Sequence, residues 1–323
     1  MRTHVLIFCT FIASISFGQN VPRFSQFNFA QGVNNPAAIA LDSKIMVDLM
    51  FRNQWFGIEG APTSGTINGQ YEIYHDMAVG LNVSYDLIGV HHATQVSGQY
   101  AYRAYLANGN AMIFGASLGF DHRVHDLPSA RLNELNDPAF EELYSRTHFN
   151  AGFGMYYHAS KFYMGLSIPQ LFQSVESSNA SGLRAKYWHY FFSTGFYIHA
   201  SEKYSLNPHI QIKAAINTPI QADLILRNTF NNTWSLNVGY RSESAILAGF
   251  DFLIAGRYRF GYSFNYDVGK LAKFKGSSNE LYVGIGLPYH NSREAFGQRK
   301  YLNRKQGYKR DFHKGHKQRR WYK

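Results

Sequence analysis

Arg52-Asn53-Gln54-Trp55, followed by Glu59 and Gly60-Ala61-Pro62, sets a guanidinium, two amides and a carboxylate around one tryptophan. Such polar density suits an active site, and equally the lip of a β-sheet where a strand turns back. Three other groups have residue types that chemistry could use. His91-His92 and His122 with His125 offer imidazoles as metal ligands. Paired histidines without a carboxylate cluster more commonly serve as loop or interface residues, and no metal site is assigned to them. Serine, histidine and Asp or Asn all occur on the polar parity of the strands described below, but nothing sets a serine beside a histidine. Without a nucleophile–base pair the chain reads as non-enzymatic, with no catalytic residue and no cofactor. Lastly, Arg103, Arg241, Arg257 and Arg259 would face an interior. They either line an anion-attracting channel or pair with Asp86, Asp121, Asp251 and Asp267.

The elements that carry these residues show a period of two. Met77, Val79, Leu81, Val83 and Tyr85 share one parity, and Ala78, Gly80, Asn82, Ser84 and Asp86 the other. Tyr258, Phe260, Tyr262, Phe264 and Tyr266 alternate with Arg259, Gly261, Ser263 and Asn265 in the same way. A period of two means strands with one apolar and one polar face. Such segments fall near 44–57, 63–73, 77–88, 93–106, 110–122, 146–158, 161–168, 184–200, 203–215, 219–230, 232–241, 244–255, 257–268 and 279–287, fourteen in all. Every second link is a short turn, such as Tyr74-His75-Asp76, Ala107-Asn108-Gly109 or Ala159-Ser160. The longest connections, His122 to Arg146 and Pro169 to Leu183, are of the other set.

A soluble sandwich has shorter strands, typically about 5–6 residues, with both apolar faces turned inward. A transmembrane barrel needs about 9–11 residues per strand and turns its apolar face to lipid. The segment lengths, the even count, the aromatic content of 16% and the alternation of short and long links fit the barrel. The expected fold is therefore all-β: a transmembrane antiparallel barrel of about 14 strands, spanning 44–288, with a basic C-terminal extension. Short turns belong on the periplasmic side, which places the protein in a bacterial outer membrane, surrounded by lipid, with both termini periplasmic. Fourteen strands about 4.7 Å apart and tilted by about 40° give a backbone diameter near 27 Å, too wide for side chains to fill. Gly80, Gly115, Gly119, Gly152, Gly154, Gly165, Gly239, Gly249, Gly284 and Gly286 take the inward parity. They either ease strand bending or leave room for a plug.

The two ends differ from the body. Residues 1–18 carry Arg2, an apolar run from Val5 to Ile15 and small residues at Ser16 and Gly18, which reads as a secretory signal cleaved before Gln19. Cys9 is the single cysteine and leaves with it, so the mature chain has no disulfide and no thiol. Residues 19–43 form a periplasmic or lumenal segment without alternation. Within it Asn35-Pro36 reads as a helix cap followed by proline at the first helical position, opening a short helix over Ala37–Leu41. Residues 289–323 hold twelve Lys and Arg against Glu294 and Asp311, so nearly all of the chain's net charge of +11 sits there.

The blocks FSQFNFAQGVNNPAA, RNQWFGIEGAPTSGTI, GQYAYR, NDPAF, KFYMGLSIPQL and GYRS followed by RFGYSFNYD resemble, in order, those of the PorP/SprF family. These are outer-membrane proteins of the type IX secretion system. The similarity runs from about Gln19 to Leu287, and Arg52-Asn53-Gln54-Trp55 with Gly60-Ala61-Pro62-Thr63 is its most specific block. The resemblance implies a non-enzymatic barrel acting in protein export, surface attachment or gliding motility, beside other secretion or motility proteins. It carries over no catalytic residue. Family members often show His-Glu where this chain has Asn279-Glu280, and they commonly end near the last strand, without so basic an extension.

Two places are candidate partner sites. Arg52, Gln54, Trp55 and Pro62 stand at the expected outer mouth. Arg299, Lys300, Arg304, Lys305, Lys309, Arg310, Lys314, Lys317, Arg319, Arg320 and Trp321 make the tail a basic, aromatic segment. On a cytosolic protein such a tail would suggest nucleic acid; after export it meets none, and an acidic periplasmic partner is the expectation. The alternative function is a passive pore or transporter for small solutes.

Overall fold

The computed structural model describes residues 24–41, 44–74, 76–129, 143–174, 181–183, 188–216, 218–242, 245–268 and 276–287. The expected signal at 1–18 and the tail at 289–323, with all its candidate residues, lie outside them. In chain order the strands are β1 Ile45–Asn53, β2 Thr63–Tyr74, β3 Met77–Ile88, β4 His91–Tyr105, β5 Ala111–Asp126, β6 Leu143–His158 and β7 Phe162–Ile168. There follow β8 Phe172–Ser174, β9 Ser181–Leu183, β10 His189–Phe196, β11 Ile198–His199 and β12 Tyr204–Ala215. The last are β13 Gln221–Phe230, β14 Trp234–Arg241, β15 Ala245–Ile254, β16 Tyr258–Asp267 and β17 Ser278–Leu287.

Fourteen of these, β1–β7, β10 and β12–β17, form a closed antiparallel barrel, with β1 pairing β17 and β10 joining β7 to β12. The two-residue β11 continues β10 against β12, and β8 with β9 makes a separate small hairpin. Closure satisfies every strand edge around the ring, which a lipid setting demands. The faces follow the parity. Leu81, Leu118, Phe120 and Ile254 stand on the outside, more than half exposed, while Asp48, Asn82, Gln99 and Asn265 are buried inside. Apolar groups out and polar groups in is the reverse of a soluble domain and the pattern of a membrane barrel.

Strand ends differ from the expected ones where the backbone turns left-handed. The first strand stops at Asn53 and not 57, because Trp55 (φ 53°) and Gly57 (φ 92°) leave the extended region. Consecutive left-handed residues close two of the tight turns, Asn231-Asn232 and Ala255-Gly256, as two-residue hairpin geometry requires. Arg257 falls in the second of these turns and is exposed, so it does not face the interior as its parity suggested.

Residues 24–41 run inside the ring, and Phe27, Ala37 and Ile39 there are at most 2% exposed. They form no strand, only two 3-10 turns, Gln31–Val33 and Pro36–Ala40. Asn35 caps the second: its Oδ1 accepts from Ala37 N at 3.0 Å and Pro36 opens it, as the sequence indicates. The inward glycines divide into two kinds. A methyl at Gly115 would lie 2.5 Å from Ala37 Cα, and one at Gly154 would lie 2.9 Å from Asn35 Cγ, so these two seat the lumen segment. A methyl at Gly119 would strike Ser97 Cα at 2.6 Å, and one at Gly249 would strike Tyr262 O at 2.6 Å, so those two serve close strand approach.

A leucine at Gly154 cannot coexist with Asn35 in this seat. Gly154→Leu is expected to expose residues 24–41 to added protease while the barrel keeps its folded migration on unheated gels. Gly98→Ala, whose methyl meets nothing nearer than 3.9 Å, leaves them protected. Mass spectrometry of the cleavage products checks both.

Candidate functional site

The lumen has two walls of different chemistry, and residues 24–41 touch both. On β2–β7 the wall presents an apolar patch to the segment, among buried polar groups such as Asn82, Gln99 and Arg103. Ala78, Ala101, Ile113, Tyr156 and Tyr163 pack with Ala37–Leu41 in one buried cluster. Polar side-chain and backbone groups of the segment find partners on this wall. Asn35 Nδ2 donates to Met155 O at 3.2 Å and to Leu166 O at 3.3 Å. Ser167 Oγ donates to Asn34 O at 2.7 Å, and Gln99 Nε2 to Gly32 O at 2.7 Å. Gln31 sits against the stacked rings of Tyr156 and Tyr163: the Tyr156 hydroxyl donates to its Oε1, and its Nε2 donates to the Tyr163 hydroxyl oxygen at 3.2 Å.

The wall of β1 and β13–β17 is charged. Arg227 binds Asp251 through two hydrogen bonds of 3.1 and 2.8 Å, and Arg259 pairs with the same carboxylate. Arg241 grips Asp223 at 3.0 and 3.1 Å, directly opposite it across β13–β14. Arg52 pairs with Glu280, its cross-strand partner. Asp48 accepts from the Tyr282 hydroxyl at 2.6 Å. Four arginines thus stand with four carboxylates, all buried; Asp251, Asp223 and Glu280 hold the arginines, and Asp48 holds Tyr282. Bidentate geometry and shared carboxylates offset the desolvation that burial imposes.

The lumen segment completes this wall. Ser25 N donates to Glu280 Oε2 at 2.6 Å. Its hydroxyl lies 2.9 Å from Glu280 Oε1 and 3.0 Å from Asn265 Oδ1, and accepts from Arg241 at 3.3 Å. Phe29 stacks on Tyr282 at 4.8 Å, with the guanidinium carbons of Arg227 and Arg259 each 5.0 Å from its ring centre. A cation over an aromatic face adds attraction that strengthens when desolvated. Arg52 and Glu280 lie one and two residues from the strand ends on the long-loop side. Leu41 leads into β1 at the tight-turn end, so the described segment crosses most of the lumen.

Only Arg52 of the four mouth candidates belongs to this cluster. Gln54, Trp55 and Pro62 lie half-buried in the β1–β2 loop. That loop is pinned on three sides: Gln54 N donates to Pro62 O at 2.9 Å, Phe56 N to Ser277 O at 2.8 Å, and Gly89 N to Gly60 O at 3.0 Å. It holds up Phe56 and Ile58, exposed by 68% and 42%. Of the expected inward pairs, Arg259–Asp251 forms. Arg241 takes Asp223, Asp121 takes Arg123, and Asp86 accepts from the Ser64 hydroxyl. Arg103 donates to the Tyr105 hydroxyl at 3.2 Å. His91 and His125 face each other across β4–β5, and His122 meets Thr147 at 2.8 Å. Among the described residues no three His, Cys, Asp or Glu converge to hold a metal. Glu280, Arg227, Asp223, Ser25 and Phe29 were not proposed as site residues from the sequence; Arg227 and Asp223 share the inward parity, while Ser25 and Phe29 stand in the first block of the family resemblance and Glu280 at its His-Glu position.

Removing one partner of a buried pair leaves the other charge uncompensated. Arg52→Ala and Glu280→Ala are each expected to cost about 3 kcal/mol or more. The double variant should cost clearly less than the sum. Gln54→Ala should change stability by about 0.5 kcal/mol or less. Urea unfolding of the reconstituted barrel measures all four.

Solved structures similar to this chain include an outer membrane protein, Omp33, of Acinetobacter baumannii, at 9% identity and a TM-score of 0.45, covering 77% of this chain and 100% of that one. The P. putida toluene transporter TodX shares 10% identity at a TM-score of 0.48, covering 81% and 95%. The Ralstonia pickettii toluene transporter TbuX shares 9% at 0.47, covering 80% and 92%. Likeness at this level carries no functional argument. No curated protein matches the chain. The family model for the type IX secretion system membrane protein PorP/SprF matches residues 16–285, taking in the lumen segment and all but the last two residues of β17. With that match laid over the closed, lumen-filled barrel, this chain belongs to the PorP/SprF family, as an outer-membrane barrel of type IX secretion.

Proposed function

We propose that this protein is a non-enzymatic, non-conducting barrel that holds partner subunits or secreted cargo of the type IX secretion or gliding machinery at the outer membrane. One observation carries the reading: residues 24–41 occupy the lumen and bind both walls with capped, hydrogen-bonded and ion-supported contacts. A barrel whose interior is committed in this way works through its rims.

In this reading the tight turns face the periplasm and the long loops face the cell surface. The β1–β2 loop then presents Phe56 and Ile58 outward on a backbone fixed by hydrogen bonds at both flanks. A stiff loop loses little entropy on binding, and an exposed aromatic is a strong anchor. Gln54, Trp55 and Pro62 shape the loop, and Arg52 ties its base to the wall. The basic residues from Arg299 to Trp321 meet an acidic periplasmic partner in this reading, a fit their charge supports.

Co-purification from native membranes in mild detergent tests both rims. Phe56→Ser with Ile58→Ser should reduce recovery of surface cargo at least several-fold while leaving barrel stability unchanged. Deletion of 289–323 should remove a periplasmic partner. An unchanged set of partners in both variants would contradict the reading.

A further inference from the structure

Between the lumen segment and β14–β16 lies a small cavity lined by Ser25, Gln26, Asn237, Gly239, Gly249 and Ser263, among others. Three of these residues carry a buried polar atom without a hydrogen-bond partner: Gln26 Oε1, Asn237 Oδ1 and Ser263 Oγ. Buried polar groups are nearly always paired, so three orphans around one cavity call for a common ligand. Neither amide can turn to remove its orphan. Gln26 Nε2 faces Glu280 O at 3.5 Å, and Asn237 Nδ2 donates to Asp251 Oδ1 at 3.2 Å. A flip would set oxygen against oxygen at both.

We propose that this cavity binds one structural water that joins the lumen segment to the barrel wall. Two amide oxygens accept and one hydroxyl can donate, which matches a water giving both protons and receiving one. The cavity has room for about one such molecule. A cation fits less well. The neighbouring ion pairs set three arginines against two aspartates, which does not favour a further cation, and three oxygens fall short of a cation's usual shell of about six. The site therefore takes a neutral donor. It gives Gln26, whose side chain otherwise hydrogen-bonds the wall through one long bond to Glu280, a second link to β14 and β16.

A map of the purified full-length barrel at a resolution that shows ordered water should hold one peak within hydrogen-bond distance of all three atoms. A dry cavity, three atoms paired among themselves, or a peak with five or more oxygen neighbours would overturn the proposal. A thermal-unfolding cycle supplies an independent test. With a shared water, Gln26→Met and Ser263→Ala each lower Tm, and the double variant lowers it no further than the larger single change. Additive shifts would contradict a common ligand, because the two side chains then act separately.

Discussion

A ring of fourteen strands leaves a backbone-to-backbone interior of about 27 Å, more than two facing layers of side chains can bridge. This constraint shapes much of the rest. Either water fills the interior or the chain supplies its own filling, and here residues 24–41 supply it. The filling cannot be a lone strand, because a strand inside a closed barrel has no edge to pair with. Two 3-10 turns, an asparagine cap and side-chain hydrogen bonds from the wall satisfy its backbone instead. The wall answers with absence on one side: Gly115 and Gly154 lack the Cβ that would collide with Ala37 and Asn35.

On the other side the wall answers with charge. Burying so many ionisable groups is costly, with an effective penalty of several kcal/mol per ion before pairing. Balance and geometry make it tolerable. Asp251 is shared by Arg227 and Arg259, Asp223 is held bidentate, and Glu280 takes Arg52 together with Ser25 and Asn265. Such a cluster is unforgiving of partial loss and therefore specific. It recognises one segment in one register, with Ser25 at Glu280 and Phe29 between two guanidinium groups. The Arg52 side chain contributes to the interior, while the loop that follows it contributes to the mouth.

The strands were legible because burial on one face alone imposes a period of two, and that period survives in the residues of β3, β14 and β16. Asn35-Pro36 was legible because a cap is a local device. The ion pairs were legible only as a parity. Arg241 meets Asp223 because β13–β14 register sets them opposite, and a shift of two residues would have offered another partner. Arg257 failed because left-handed Ala255 and Gly256 place it in a turn. Ser25 and Phe29 stand in a block that resembles the family, but their contacts were not legible there, since their partners lie more than 190 residues away and the segment has no period to read.

The account rests on the lumen being closed by the protein's own chain. Steady conductance of the purified protein in a planar bilayer tests it most directly. A barrel filled by residues 24–41 should insert yet pass almost no steady current, whereas a large, stable open channel from the intact chain would contradict it.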